Sequence, residues 1–179
     1  MQARKKSALI IVDVQYDFCD SGPLAIPNAE EVFPLINEIR KTIAFDHVYL
    51  TCDWHPADHI SFASSHQGKA PYETIVLQDG RTQELWPAHC VKDQPGAEFH
   101  KDLYRDYKEI VIRKGTLSAV ESYGGFGTPP EDTGLEKDLK SKGVEKIFIL
   151  GLAVDFCVKH TAIAGKKAGL VRVFYEFFA

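Results

Sequence analysis

The sequence predicts a three-layer α/β/α fold, in which helices cover both faces of a mostly parallel central sheet. Strand-length apolar runs alternate along the chain with segments that have helical periodicity. The apolar runs are almost continuous, which is typical of strands that are buried on both faces of a parallel sheet. Right-handed crossovers through the helices would then join neighbouring strands.

Four apolar runs are the predicted strands of this sheet, at residues 8–14, 47–52, 110–112 and 147–152. A first helix should begin near Asn28, because Glu31 follows three residues later as in a capping box. Apolar residues then recur at helical spacing as far as Ile43, so one face of this helix should pack against the sheet.

Two further helices follow the third and fourth strands. One is expected at residues 133–142, and the other contains Cys157 and ends at Gly169. Residues 53–108 show little periodicity and are rich in proline, glycine, histidine and aromatic residues. Long irregular segments in compact domains commonly carry function, so we expect this one to contribute to a site.

Length and composition indicate one globular domain over residues 1–179, since 45% of the residues are hydrophobic and 26% are charged. The net charge of −4 argues against nucleic acid as a partner. No apolar stretch approaches the roughly 20 residues of a membrane span, and the N-terminus does not resemble a signal peptide. We therefore expect an intracellular, cytoplasmic protein whose four cysteines are reduced.

Cys157 is the first candidate for chemistry, because the apolar strand at residues 147–152 runs straight into it and it should open a helix. Unpaired N–H groups and the helix dipole stabilise a thiolate there, which predicts a lowered pKa and a nucleophilic sulfur. The alternative is structural, since a free cysteine is among the most buried residue types and often only packs.

Two other strand ends supply charged partners. Asp13 lies near the end of the first strand, and Lys114 follows the third strand directly. Because ligands bind beyond the carboxyl ends of strands in open α/β sheets, both side chains should meet Cys157 there. Lys114 would stabilise the thiolate and Asp13 would move protons. Taken singly, the aspartate could be a turn cap and the lysine a solvated edge charge.

A second set of residues, in the irregular segment, could hold a metal ion. Asp53 and His55 alternate at the end of the second strand, and His89 follows in a Trp-Pro-Ala-His-Cys context. One carboxylate and two imidazoles suit zinc, iron or manganese, with water in the open positions. The spacing alone is weak, since an Asp-x-His pair is more often a pair of polar surface residues.

Several motifs resemble the nicotinamidase branch of the cysteine hydrolases that include isochorismatase, and the match runs from about Leu9 to Gly169. In chain order the motifs are Val12-Asp13-Val14-Gln15-Tyr16-Asp17-Phe18, Asp53-Trp54-His55-Pro56, Leu85-Trp86-Pro87-Ala88-His89-Cys90-Val91, Arg113-Lys114-Gly115 and Gly151-Leu152-Ala153-Val154-Asp155-Phe156-Cys157-Val158. The resemblance implies an isochorismatase-like fold in which Cys157 is the nucleophile and Asp13 and Lys114 assist it.

The resemblance also implies one divalent metal ion, held at the positions of Asp53, His55 and His89. Zinc is the first choice and iron or manganese are alternatives. His59 is a secondary candidate, because some relatives use an additional ligand in this region of the chain.

A nicotinamide pocket is implied as well. Phe18, Trp86 and Tyr123 match the positions that line the substrate site in the family, and Leu24 is an additional wall. Ala153 and Val154 are further substrate-binding candidates, through their backbone. Without the resemblance, the aromatic residues among them would be assigned to the core. The amides of Val154 and Cys157 are the expected oxyanion donors, and the peptide bond between Ala153 and Val154 is expected to be cis.

The implied reaction is hydrolysis of nicotinamide to nicotinate and ammonia through a cysteine thioester, in NAD salvage. Another small-amide or isochorismatase-like hydrolase is an alternative. Residues 170–179 predict a further strand, after which the chain stops where relatives continue through another helix, so we expect an incomplete C-terminal part. A catalytically silent truncated form is therefore a third hypothesis, and a homo-oligomer is a further possibility.

Overall fold

The structure is a computed structural model that describes residues 5–170. The elements, in chain order, are β1 (Lys6–Val12), α1 (Val32–Thr42), β2 (His47–Asp53), β3 (Thr74–Val76), β4 (Thr82–Glu84), β5 (Ile110–Lys114), α2 (Leu135–Ser141), β6 (Val144–Gly151) and α3 (Lys159–Lys167). The four predicted strands and three predicted helices all form. The predicted strand after Gly169 lies outside the described residues.

A sheet of four parallel strands has the order β5-β2-β1-β6. Its register brings the carboxyl ends of the strands to one edge, since Val12 pairs with both Thr51 and Gly151, and Asp53 pairs with Lys114. The residues that follow β1, β2, β5 and β6 therefore meet at that edge, as the sequence predicts.

Helices cover both faces of the sheet, which confirms the three-layer fold. Alternate residues of β1 are fully buried in opposite clusters: Ile10 packs with Leu135 and Leu139 of α2, and Leu9 packs with Phe33 and Ile36 of α1. Each such side chain stabilises the fold by about 1.5–3 kcal/mol relative to an exposed one. A strand buried on both faces must be continuously apolar, which explains the composition of β1.

The start of α1 differs from the prediction. Asn28 has a left-handed φ of 59° and makes no side-chain capping hydrogen bond, and a 3₁₀ turn at Ala29–Glu31 precedes the helix. The helix proper begins at Val32, so Pro34 lies in its first turn, where its missing N–H leaves no helical hydrogen bond unmade. The predicted capping box is therefore wrong, although the buried face is as predicted.

The segment between β2 and β5 holds only short elements, as its lack of periodicity indicates. β3 and β4 form a small antiparallel hairpin, and 3₁₀ turns occur at Ala63–Ser65 and Pro95–Ala97. Within residues 5–170, no helix is both long and apolar enough to cross a membrane.

Candidate active site

Asp13 is placed by an unusual backbone conformation directly after β1. Its φ of 51° lies in the left-handed region, which is uncommon for residues other than glycine, although aspartate tolerates it better than most. Its N–H donates to Thr51 O at 3.1 Å, and the hydroxyl of Thr51 donates to Asp13 Oδ1 at 2.6 Å. The carboxylate is fully buried, with Oδ2 left toward the site.

Lys114 joins the predicted catalytic residues into one cluster. Its Nζ lies 2.9 Å from Asp13 Oδ2 and 3.4 Å from Cys157 Sγ, and it also forms an ion pair with Asp53 Oδ1. Asp13 Oδ2 accepts no well-aligned hydrogen bond despite this proximity, so it can still take up a proton. The structure thus brings Asp13, Lys114 and Cys157 together at the edge where the strands end.

The protonation of this cluster follows from burial. Burial raises the pKa of the Asp13 carboxyl, and the positive charge of Lys114 offsets this only in part. Burial also opposes the charge of Lys114, yet Asp13 and Asp53 raise the pKa of its ammonium well above the usual value. The cluster therefore combines a permanent cation with a carboxyl that can exchange a proton, as acid–base catalysis requires.

Cys157 lies in a π-helical turn, Val154–Val158, that leads directly into α3. Burial raises the pKa of its thiol well above the usual value, and Lys114 opposes this rise only in part. The predicted lowering of this pKa is therefore wrong for the free site, because complete burial and the neighbouring carboxylates of Asp13 and Asp53 outweigh the favourable end of the helix. The resting sulfur is a thiol beside a potential base.

Asp53, at the end of β2, is held by a residue that sequence reasoning left without a role. The amide of the buried Gln15 receives a hydrogen bond from Asp53 N–H at 2.8 Å and donates to Asp53 O at 2.8 Å. Burial opposes ionisation of Asp53, but Lys114 and His55 hold the pKa of its carboxyl well below the usual range. Its Oδ1 faces Lys114, and its Oδ2 faces His55 and His89.

Both histidines point their Nε2 atom toward the carboxylate of Asp53. Nδ1 of His55 lies 2.9 Å from Gly115 O, and Nδ1 of His89 lies 2.8 Å from Pro87 O. A carbonyl oxygen only accepts, so in each neutral imidazole Nδ1 carries the proton, and Nε2 is the nitrogen that can take a further proton or a metal ion. These Nε2 atoms lie 3.5 Å and 3.8 Å from Asp53 Oδ2.

This geometry fits a divalent metal ion. Nε2 of His55 is buried and makes no hydrogen bond, which is unfavourable unless a proton or a metal ion occupies its lone pair and pairs with Asp53. The ligand atoms of Asp53, His55 and His89 all lie within 4.8 Å of one another. Imidazole nitrogens oriented by backbone carbonyls are usual at metal sites, where the second interaction fixes the tautomer.

The two imidazoles differ in acidity because they share one carboxylate. Burial disfavours a charge on His55, but Asp53 raises its pKa to about 8. Burial and then repulsion from His55 lower the pKa of His89 to about 4. Without a metal ion, a proton on His55 is therefore the main competitor for the site near neutral pH.

The loop after β5 supports the histidines. Gly115 has a φ of 62°, and a Cβ there would lie 2.3 Å from Cε1 of His55, so only glycine fits. The buried carboxylate of Glu131 accepts hydrogen bonds from the N–H groups of Gly115 and Thr116 at 2.9 Å and 2.7 Å. The loop therefore fixes the carbonyl that orients His55.

His59, the secondary ligand candidate, has protein partners at both nitrogens. Nε2 lies 3.1 Å from Val120 O and Nδ1 lies 2.7 Å from Ser61 Oγ. Binding a metal through Nε2 would break the hydrogen bond to the carbonyl. Sequence reasoning missed Glu121, whose carboxylate forms a close group with His55 and His59. Its position two residues before Tyr123, a predicted substrate residue, could have marked Glu121 as lying near the site.

A cavity of about 280 Å³ opens onto this cluster. Its walls include the predicted substrate residues Phe18, Leu24, Trp86, Tyr123 and Ala153, together with Cys157, Asp53 and His89. The indole N–H of Trp86 donates to Tyr123 Oη at 3.0 Å, and the rings of Phe18 and His89 lie 5.5 Å apart. Val154, by contrast, does not line this cavity, because its side chain belongs to an apolar groove beside α1 and β6.

Several further wall residues escaped sequence reasoning. Phe156 packs edge-on against Trp86, with ring centroids 5.1 Å apart, and Tyr72 packs edge-on against the same indole at 6.1 Å. Phe156 precedes the cysteine in its motif, which was a usable signal. Tyr72 stands in the irregular segment, where no pattern distinguishes it.

The peptide geometry near Cys157 corrects one expectation. The cis bond joins Leu152 to Ala153, one residue earlier than predicted. Leu152 N–H makes the last hydrogen bond to the sheet, with Val12 O at 2.9 Å, so the chain changes direction directly after it. The backbone N–H groups of Phe156 and Val158 both donate hydrogen bonds to Ala153 O.

The three-layer α/β/α fold, with a buried thiol, carboxyl and ammonium at the edge where its strands end, is typical of a hydrolase that uses a cysteine. The isochorismatase domain model matches residues 7–174 of the chain. The chain is also 44% identical over 172 residues to a nicotinamidase of Acinetobacter baylyi, an alignment that covers 95% of this chain and 79% of the relative. The chain therefore belongs to the isochorismatase family.

Solved structures agree in fold. A nicotinamidase and pyrazinamidase from Acinetobacter baumanii has a TM-score of 0.87 at 42% identity, covering 94% of this chain and 81% of that chain. The pyrazinamidase of Pyrococcus horikoshii, solved in complex with zinc, has a TM-score of 0.73 at 34% identity, covering 92% of this chain and 80% of that chain. The predicted isochorismatase-like fold is confirmed.

Proposed function

We propose that this protein is a nicotinamidase, an amidohydrolase that converts nicotinamide into nicotinate and ammonia in NAD salvage. The observation that carries the proposal is a buried thiol, Cys157, that lines a small aromatic cavity together with Asp53 and His89, while Lys114 behind it contacts both the thiol and the buried carboxyl of Asp13. Similarity to the nicotinamidase of Acinetobacter baylyi over 95% of the chain supports the same activity.

The cavity suits a flat heteroaromatic amide. Its volume of about 280 Å³ lies at the small end of ligand sites, which favours a single ring over a larger substrate. Phe18 and Trp86 offer apolar faces for the ring, and Tyr123 is oriented by its hydrogen bond with the indole. The carboxamide would point toward Cys157 and the ring nitrogen toward His89.

The first half of the reaction forms a thioester. As Cys157 Sγ bonds to the carboxamide carbon, its proton passes to Asp13 Oδ2, the oxygen without an aligned hydrogen bond. Lys114 stabilises the developing negative charge on sulfur from 3.4 Å. The amides of Val154 and Cys157 are the proposed donors to the oxyanion. Asp13 then protonates the nitrogen, the C–N bond breaks and ammonia leaves.

The second half returns the enzyme to its resting state. Asp13 removes a proton from a water molecule that attacks the thioester carbon, and the C–S bond breaks. The proton on Asp13 then goes back to the sulfur, the new carboxyl group loses its proton to solvent, and nicotinate leaves. The raised pKa of Asp13 suits this role, because the residue must be protonated and deprotonated once in each half.

Asp53, His55 and His89 would hold the divalent metal ion, and we propose zinc, with iron or manganese as alternatives. Bound there, the metal would supply a Lewis-acid contact for the ring nitrogen or for a water beside it. Asp53 has a second role, since its other oxygen pairs with Lys114. It therefore links the metal ligands to the catalytic cluster.

The proposed activity is tested by ammonia release from nicotinamide with zinc-loaded protein. Benzamide is the matched control substrate, because it has the same carboxamide on a ring without the nitrogen. We expect turnover of nicotinamide and pyrazinamide, much slower turnover of benzamide, and loss of activity on chelation that added zinc restores. Hydrolysis of aliphatic amides without hydrolysis of nicotinamide would favour the alternative small-amide hydrolase.

Metal affinity at the Asp53 site should depend on pH through His55. Because His55 must lose its proton to bind and its pKa is raised to about 8, affinity should fall about tenfold per pH unit below that value. His89 adds no second proton until about pH 4, since its pKa is lowered. Competition with a chelator of known pH dependence measures this, and a constant affinity from about pH 8 to 6 would contradict it.

A further inference from the structure

A second group of metal-ligating side chains lies away from the active site. Cys19 follows the 3₁₀ turn Tyr16–Phe18, Glu30 lies in the turn before α1, and His100 lies between β4 and β5. One ligand atom of each lies within 4.8 Å of the others. Neither the proposed mechanism nor the substrate cavity uses any of these three residues.

The three side chains offer sulfur, oxygen and nitrogen in a sheltered setting. Cys19 is 1% exposed and His100 is 9% exposed, while Glu30 is half-buried and leaves a path from solvent. A thiolate, an imidazole and a carboxylate are the three protein ligand types that zinc takes, usually with water completing four positions. Hard cations such as magnesium would not select a thiolate.

The local charge favours a cation. Glu30 supplies a carboxylate within the group itself, and its Oε1 accepts a hydrogen bond from Asp20 N–H at 2.7 Å. The carboxylate of Asp102 lies 3.7 Å from Nδ1 of His100. A divalent ion bound here would offset these negative charges and would hold Cys19 as its thiolate.

We propose that Cys19, Glu30 and His100 form a second metal site that takes zinc. On binding, the S–H proton of Cys19 goes to solvent and a Zn–S bond replaces the hydrogen bond that the thiol donates to Gln15 O at 3.1 Å. The site would tie the segment that contains Cys19 and Glu30 to His100, which lies far along the chain. It would also fix Phe18, the residue before Cys19, as a wall of the substrate cavity.

Metal stoichiometry and cobalt spectroscopy test the site independently of the proposed activity. The wild-type chain should bind two zinc ions, whereas Cys19→Ala should bind one and His89→Ala should bind one. In cobalt-substituted protein, a thiolate-to-cobalt charge-transfer band should be present in the wild type and in His89→Ala but absent from Cys19→Ala.

Two further cysteine variants show which cysteine gives rise to the thiolate-to-cobalt band. Cys52→Ala removes another buried cysteine, and Cys157→Ala removes the cysteine nearest the first metal site, so both should retain the band. If Cys19→Ala does not fold, Glu30→Gln at the half-buried position should lower zinc affinity at least tenfold without affecting the metal held by His89. One zinc ion per wild-type chain, or a cobalt band lost only in Cys157→Ala, would overturn the proposal.

Discussion

Cys157→Ala is expected to lower the turnover of nicotinamide by on the order of 10⁴-fold or more, because the nucleophile is removed. Binding of nicotinamide should be largely retained, since the aromatic walls of the cavity do not change. The measurement is ammonia release under saturating substrate, with substrate affinity taken from calorimetry. The fold should be intact, because the substitution removes only the sulfur atom, and the Cβ keeps its place in the apolar cluster beside the site.

Two observations would distinguish a nucleophile from a structural cysteine. Cys52→Ala, which removes a buried cysteine outside the cavity, should retain most of the activity. Acid quenching of the wild-type enzyme during turnover should yield a nicotinoyl thioester on the peptide that contains Cys157. Undiminished turnover in Cys157→Ala would exclude the residue as nucleophile.

Lys114→Met is expected to lower the free energy of unfolding by about 3–5 kcal/mol at pH 8, and to abolish activity. The substitution leaves Asp13 and Asp53 as fully buried carboxylates without their counterion, which is the costly way to break a buried ion pair. The effect should shrink as pH falls toward 5, because the pKa of Asp13, already raised by burial, rises further and the neutral acid relieves the repulsion. Urea unfolding at both pH values measures this.

A lysine at the surface serves as the control for Lys114→Met. Lys142 pairs with Asp138 at 2.5 Å where both side chains are partly exposed, so Lys142→Met should change stability by at most about 1 kcal/mol. Asp13→Asn introduced into the Lys114→Met protein should recover part of the lost stability at pH 8. Equal destabilisation by the two lysine substitutions would contradict a buried, charge-determined cluster.

The sequence predicted the location of the catalytic cluster because topology follows from periodicity. Once four continuous apolar runs are taken as parallel strands, the residues after each strand must meet at one edge, and this places Asp13, Lys114 and Cys157 together. The protonation of the cluster could not be predicted in the same way. It depends on the burial of every member at once, which outweighs the helix dipole at Cys157.

Polar residues that support the site were also beyond sequence reasoning. Gln15 and Glu131 act through backbone groups of residues that are 38 and at least 15 positions away in the chain, so no local pattern marks them. The same holds for Tyr72 and for the proximity of Glu121 to the two histidines. Such contacts arise only when loops without periodicity pack against one another.

For this protein, the sequence by itself determined the α/β/α architecture, the order of the main elements, and the residue types of the candidate catalytic cluster and of the candidate metal site. The alternation of apolar strands with amphipathic helices is a local property of the chain, and the hydrophobic effect converts it into layers. Only the tertiary structure decided which nitrogen of each histidine faces Asp53, which carboxyl can hold a proton, and that Cys19 lies close to Glu30 and His100. These properties depend on distance and burial between segments far apart in sequence, and electrostatic and hydrogen-bond energies change steeply with both.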